Sequence, residues 1–262
     1  MKISISNIGW AAEADESVYA LMQKYEFTGM EIAPTRIFPD KPYDKLDLAK
    51  AWKEQIYSKY GFIIPSMQSI WYGRTEKVFG RDAERDALIS YTKKAIEFAE
   101  VIGCENLVFG CPRNRSISDN GDMEVAVQFF KTIGDYALAH HTVVAMEPNP
   151  PIYNTNFINT TEEAISFVER VDSKGFLLNL DVGTMIENRE EIGIIRDKKS
   201  LINHVHISEP GLQPIQKRKL HNELAEVLED AGYKRFVSIE VGKQENIEVL
   251  SEMMEYVRNV FK

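Results

Sequence analysis

Cysteine is scarce in this chain of 262 residues: only Cys104 and Cys111 are present. That excludes a disulfide framework. The two flank a strand-like run, and an extended segment of that length spans far more than a disulfide reaches, so no bond is expected between them. Long hydrophobic runs are also missing; none approaches the roughly 18 apolar residues of a membrane-crossing helix. The N-terminal Met1–Ser6 lacks a signal peptide's apolar centre and reads at once as a strand, so a reducing cytoplasm is the expected location. Positive charge is in deficit. Against 40 acidic residues stand 31 Lys and Arg, a net charge of −9 that argues against a general nucleic-acid or membrane-surface binder. No G-x-G-x-x-G follows the first strand-like run and no G-x-x-x-x-G-K occurs, which weighs against a nucleotide-binding open sheet.

What is present is a regular alternation. Strand-like runs stand at Ile3–Ile8, Met30–Ala33, Ile63–Met67, Leu107–Phe109, Val143–Met146, Phe176–Leu180, Ile202–Val205 and Phe236–Ile239. Between them lie segments with apolar residues at helical spacing. Leu88, Ala95, Ile96, Ala99 and Ile102 share one face, with Gly103 as a stop. Thr160 and Glu163 form a capping box before Ile165, Val168 and Val171, with Gly175 as the terminator. Leu220, Leu224, Val227 and Leu228, ended by Gly232, repeat the pattern, as do Ile247, Leu250, Met254, Val257 and Phe261. These stripes are core-facing packing. Eight alternating units without a Pro/Ser linker predict one (β/α)8 TIM barrel domain over residues 1–262, with a doubly wound open sheet as the rival. The segments after strands are long: Pro34–Leu46, Gln68–Asp82, Gly110–Asp122, Pro148–Asn159 and Ser208–Gln216. In a barrel they build the C-terminal face, where active sites sit.

Four of the runs end alike. Glu147, Asp181, His206 and Glu240 each follow an apolar run directly, at spacings of 34, 25 and 34 residues. A lone carboxylate after a strand is usually a solvated loop residue. Four in register on consecutive β/α units converge at one rim. Three anions placed together repel, and a divalent cation relieves that repulsion. Oxygen-rich ligation with one imidazole suits Mn²⁺, Mg²⁺ or Co²⁺, and Zn²⁺ is possible. Open coordination positions could take two adjacent sugar oxygens, and the metal would stabilise an enediolate. Glu147 and Glu240 are the candidate acid/base pair, one on each face of the sugar.

Glu-Pro-Asn at 147–149, Leu-Asp-Val-Gly at 180–183, His-Val-His-Ile-Ser at 204–208 and Ser-Ile-Glu at 238–240 resemble the xylose-isomerase-like barrel superfamily. More narrowly they resemble its sugar phosphate isomerase/epimerase group, related to the ketose 3-epimerases. The resemblance implies that Glu147, Asp181, His206 and Glu240 bind one divalent metal and that the two glutamates exchange protons with substrate. It also implies a small-molecule sugar as partner and a homodimer or homotetramer. Departures are visible. Thr184, Tyr153 and Leu212 stand where ketose epimerases carry a substrate-binding His, Glu and Arg.

Candidate substrate residues are Gln68 and Trp71 after the third run, for hydroxyls and for stacking on a sugar face. A helix-packing role is open for Trp71. Arg113 and Arg115 after the fourth run could grip an anionic group, or simply answer the acidic background. Asn149 and Asn154 suit hydroxyl-rich ligands, though Asn is also a turn former. Thr184 and Ser208, beside Asp181 and His206, complete the set. Lys217–Lys219 is a solvated face or a mobile anion clamp. His204 is expected on the opposite side of its strand from His206, packed or supporting.

The expected activity is thus a metal-dependent isomerase or epimerase of a sugar or anionic sugar derivative. A dehydratase of a keto-cyclitol or sugar acid on the same scaffold, and a non-catalytic sugar-binding barrel, are the alternatives. Abasic-site endonucleases share the barrel but need a His-rich three-zinc cluster, which a chain with five His does not supply.

Overall fold

The computed structural model describes residues 1–118 and 121–262; residues 119 and 120, within the expected 110–122 loop, lie outside it. Among the described residues seven parallel strands are formed: β1 Lys2–Ser6, β2 Gly29–Glu31, β3 Leu107–Phe109, β4 Val144–Met146, β5 Phe176–Asp181, β6 Ile202–Ile207 and β7 Phe236–Ile239. Their order around the sheet is β2-β1-β7-β6-β5-β4-β3, all neighbours parallel.

The expected third strand closes the ring without becoming a regular strand. Residues 63–67 touch β2 and β3 through isolated parallel bridges, Gly29 to Ile63, Ile32 to Met67 and Met67 to Leu107. Met30 N donates to Ile63 O (2.9 Å), and Val108 N donates to Met67 O (2.8 Å). Pro65, in the middle of the stave, has no N–H to give, so the ladder is interrupted there. A (β/α)8 barrel results, with one loosely bonded stave.

Helices α1 Asp15–Lys24, α2 Pro34–Ile37, α3 Leu46–Tyr60, α4 Asp82–Ile102, α5 Met123–Ala139, α6 Thr161–Val171, α7 Val182–Asn188, α8 Lys219–Asp230 and α9 Ile247–Phe261 alternate with the staves. The apolar faces read from the sequence are those buried against the sheet; Leu88, Ala95, Ile96, Ala99 and Ile102 of α4 are fully buried. Gly103 closes α4 at φ 70°, and the Thr160–Glu163 capping box opens α6. Cys104 and Cys111 are free thiols. No helix among the described residues is long and apolar enough to cross a membrane.

Gly175 has a different role from the expected one. Asp172 takes the left-handed conformation that ends α6, at φ 49°. Gly175 instead lies where the entry to β5 touches α5: a Cβ there would stand 2.0 Å from Gly134 O and 2.8 Å from Leu138 N. The contact is backbone against backbone, so no rotamer change relieves it. Gly175→Ala should therefore cost about 3 kcal/mol, the upper range of overpacking, read as a lower urea midpoint at unchanged m-value.

Candidate active site and metal centre

The barrel places the four strand-end residues in one cluster. Glu147 and Glu240 are the first residues beyond β4 and β7, and their amides extend the ladder, donating to Phe109 O and Ile207 O (both 3.0 Å). Asp181 and His206 lie within β5 and β6 and face one another in register. Each residue offers a ligand atom within 4.8 Å of the others, and all four are buried. His206 Nδ1 lies 2.9 Å from Glu147 Oε1 and 3.3 Å from Glu240 Oε2. Neither carboxylate lies along the ring N–H direction, so this buried nitrogen has no hydrogen-bond partner. It points between the carboxylates, as a metal ligand would.

Supporting groups orient each donor. Glu147 accepts from Asn179 Nδ2 (2.9 Å) and Asn149 Nδ2 (3.2 Å). Asp181 Oδ2 accepts from the Thr184 amide (2.7 Å) and Oδ1 from the Ser208 hydroxyl. No side-chain amide or hydroxyl among the described residues donates to Glu240, which leaves it the most adaptable of the three carboxylates.

Glu31, fully buried at the end of β2, was not singled out from the sequence. Its Oε2 lies 3.0 Å from His206 Nε2, and its Oε1 accepts from Gln68 Nε2 at 3.0 Å. That fixes the imidazole with Nδ1 towards the cluster, as a carboxylate behind a ligating histidine does. The available signal was a charged residue inside the apolar run Met30-Glu31-Ile32-Ala33. His204 also differs from expectation: its Nε2 lies 3.1 Å from the same Glu31 oxygen. Residues two apart on a strand share a face, so both histidines point into the barrel.

Crowding governs the electrostatics. Burial, with the Glu147 charge beside it, raises the Asp181 carboxyl. Burial pushes Glu240 up to about 7, despite the opposing pull of His206. Burial alone would lower His206, but the Glu31 and Glu240 charges outweigh it and hold the ring well above the usual imidazole range. Three carboxylates and an imidazole crowded this closely form a donor set suited to a hard or borderline divalent cation. The residues present could hold one.

A family model described as a xylose isomerase-like TIM barrel matches residues 19–260. The chain belongs to that family. No curated protein matches it in sequence. Among solved structures, it is similar to the D-psicose 3-epimerase of Clostridium cellulolyticum H10 crystallised with D-tagatose, at TM-score 0.80 and 18% identity over 100% of both chains. It is also similar to the E. coli 3-keto-D-glucoside 4-epimerase YcjR, at TM-score 0.79 and 19% identity over 99% of both. The IOLI protein with a bound zinc atom superposes at TM-score 0.72 and 16% identity over 99% of this chain and 94% of that one. Identities this low show a shared fold.

In this xylose isomerase-like barrel the cluster opens on a recess of about 180 Å³. Of the expected substrate residues, Gln68, Asn149 and Ser208 line it. Tyr153, Glu209 and Leu212 line it too. Glu209 was missed from the sequence, and it explains part of the basic cluster: Arg218 grips it through two hydrogen bonds of 2.7 and 2.6 Å.

Other expected residues take different places. Thr184 lies behind Asp181, its hydroxyl 2.8 Å from Asp181 Oδ2. Trp71 packs edge-on against Phe109 and Phe129 and donates its indole N–H to Thr92 Oγ1 (2.8 Å), the helix-packing role. Asn154 is an exposed turn residue at φ 59°. Arg113 is exposed on a neighbouring recess.

Arg115 is fully buried and does not line the recess. Its guanidinium donates to Glu147 O (2.9 Å), Asn149 Oδ1 (2.9 Å) and Ile158 O (3.3 Å). It braces the strand end that carries Glu147. Burial pulls it down to about 10, so it stays charged at neutral pH. Arg115→Met should destabilise by about 3 kcal/mol, because it orphans buried acceptors; chemical denaturation measures this.

Glu240 supplies a pH signature. Its folded value near 7 lies above the ordinary 4.5, so the folded state holds this proton more tightly. That contribution is complete at acid pH and is lost as pH rises from about 4.5 through 7. In chelator-treated protein, Glu240→Gln should flatten the decline of stability across that interval, as thermal melts at successive pH values would show.

Proposed function

We propose that the protein is a divalent-metal-dependent isomerase or epimerase of a sugar or sugar derivative. The observation that carries this is the convergence of Glu147, Asp181, His206 and Glu240, all ligand atoms within 4.8 Å, at the floor of a small recess edged by amides and hydroxyls. That the similar structures include a D-psicose 3-epimerase, a 3-keto-D-glucoside 4-epimerase and a zinc-bound IOLI protein supports the same class.

A bound dication would act as a Lewis acid that acidifies the carbon beside a sugar carbonyl. The chain's own residues do the rest. Glu147 and Glu240 approach His206 Nδ1 from separate strand ends. A sugar seated between them has one carboxylate to remove a proton and a second to return one. Glu240, which no side-chain amide or hydroxyl among the described residues holds in place, is free to adjust to either direction of transfer. Glu147, held by two asparagines, keeps a fixed aim. Gln68 and Ser208 line the recess with polar groups, and Tyr153 and Leu212 narrow it.

Tyr153 also favours a second reading on the same scaffold. Its phenol lines the recess and accepts from Gly211 N at 2.9 Å. Such a phenol could protonate a departing hydroxyl, which would make the protein a dehydratase. Product mass separates the two, since a dehydratase product is lighter by one water.

Protein purified without chelator should contain about one divalent ion per chain, and Asp181→Asn should lose it. With Mn²⁺ and a panel of ketoses and sugar acids in deuterated water, wild type should exchange a carbon-bound proton. Glu240→Gln should exchange about 10²–10⁴-fold more slowly. A wild type that binds no divalent metal, or a Glu240→Gln protein with unchanged metal binding and exchange, would sink the proposal; a pure sugar binder exchanges nothing.

A further inference from the structure

We propose that a second compartment on the rim binds an anionic group, a phosphate ester or a carboxylate, carried by the sugar at the end remote from the reacting carbons. The inference rests on the sugar reading above and extends it. A cavity of about 600 Å³ lies between the loop after Gln68 and the loop after Phe109. It shares Ser69, Cys111 and Pro112 with the inner recess, so one ligand can occupy both. At about 180 Å³ the inner recess has room for one small sugar and little more.

The two compartments carry opposite charge. Glu147, Asp181, Glu209 and Glu240 line the inner one. Arg74, Lys77 and Arg113 line the outer one, with no carboxylate among its described lining residues. In a chain of net charge −9, three cations around one recess are a local reversal of sign. An anionic tail is repelled from the inner floor and attracted to the outer wall, which sets the direction in which a substrate enters.

Hydrogen bonds lace the two loops together at the base of this wall. Asn114, buried, donates to Arg74 O (3.1 Å) and Glu76 O (2.8 Å), and its carbonyl accepts from Val78 N (2.8 Å). Lys77 Nζ donates to Arg113 O across the same gap. Arg74 is engaged with Glu76 and lies over the Tyr91 ring, so part of its charge is answered. Among the described residues, Lys77 and Arg113 have no carboxylate partner, and an ammonium with three donors retains capacity after one bond. Tyr72, 71% exposed, adds a ring at the mouth. The backbone frame of the site is thus set before any ligand arrives.

Isothermal titration of chelator-treated protein with inorganic phosphate reads this compartment alone, since an open Mn²⁺ site would itself take phosphate. Phosphate should bind wild type both with Mn²⁺ and after chelation, and more weakly as salt rises. Arg113→Ala and Lys77→Ala should each weaken it about tenfold, while Arg113→Lys keeps most of it. Circular dichroism checks that Lys77→Ala, which loses a loop contact, remains folded. Phosphate binding that requires Mn²⁺, or that survives both alanine substitutions, overturns the proposal. Fructose and fructose 6-phosphate then join the two sites. The ester should bind wild type about tenfold more tightly than the free ketose, and Arg113→Ala should erase that difference without changing Mn²⁺ binding. Equal binding of ester and ketose by wild type overturns the proposal and leaves the sugar reading intact. Failure of the sugar reading looks different: neither sugar binds or exchanges a carbon-bound proton, while the phosphate site stands.

Discussion

Three carboxylates and an imidazole confined to one buried space are the constraint around which the rim of this barrel is arranged. Like charges at this separation and burial cannot all ionise freely, and the upward shifts of Asp181 and Glu240 register that strain. Three of the four groups are held firmly from behind. Asn149 and Asn179 hold Glu147, Thr184 and Ser208 hold Asp181, and Glu31 holds His206. Arg115 and Arg218 supply compensating positive charge one layer further out, where it stabilises backbone and Glu209 without meeting the cluster.

Division of labour among the carboxylates follows from these supports. Asp181 is tied at both oxygens. Glu147 is aimed by two amides. Glu240 has no such anchor, and in the ion-free cluster burial pushes it up to about 7. The same logic accounts for the position of the outer cations. Positive charge beside the carboxylates would pair with them; here it lies in the next recess, on Arg74, Lys77 and Arg113.

Much of this was legible in the chain because it is periodic. Apolar stripes on α4, α6, α8 and α9, the Thr160–Glu163 cap and the strand-end acids all recur at intervals that local geometry imposes. The third stave was placed correctly, but its irregular bonding follows from Pro65, whose missing N–H matters only once neighbouring strands are known. Gly175 looked like a helix terminator because glycine serves that role so often. Its actual constraint, the approach to Gly134, involves residues 41 apart. Trp71 and Arg115 lay on the expected rim loops, but their side chains turn into the packing, a choice made by neighbours such as Thr92 and Ile158.

From its sequence alone, this protein declares an eight-unit α/β barrel, the family to which it belongs, and four strand-end residues capable of meeting. Those properties arise from spacing along the chain, which the backbone repeats in every unit. Tertiary structure decided which groups stand behind the four: Glu31, 175 positions from His206, became its partner because barrel closure brings β2 and β6 to face the same interior. It also decided that one arginine is buried as a brace while another stays exposed on the rim. Such choices depend on distances across the barrel, and no local interaction in the chain encodes them.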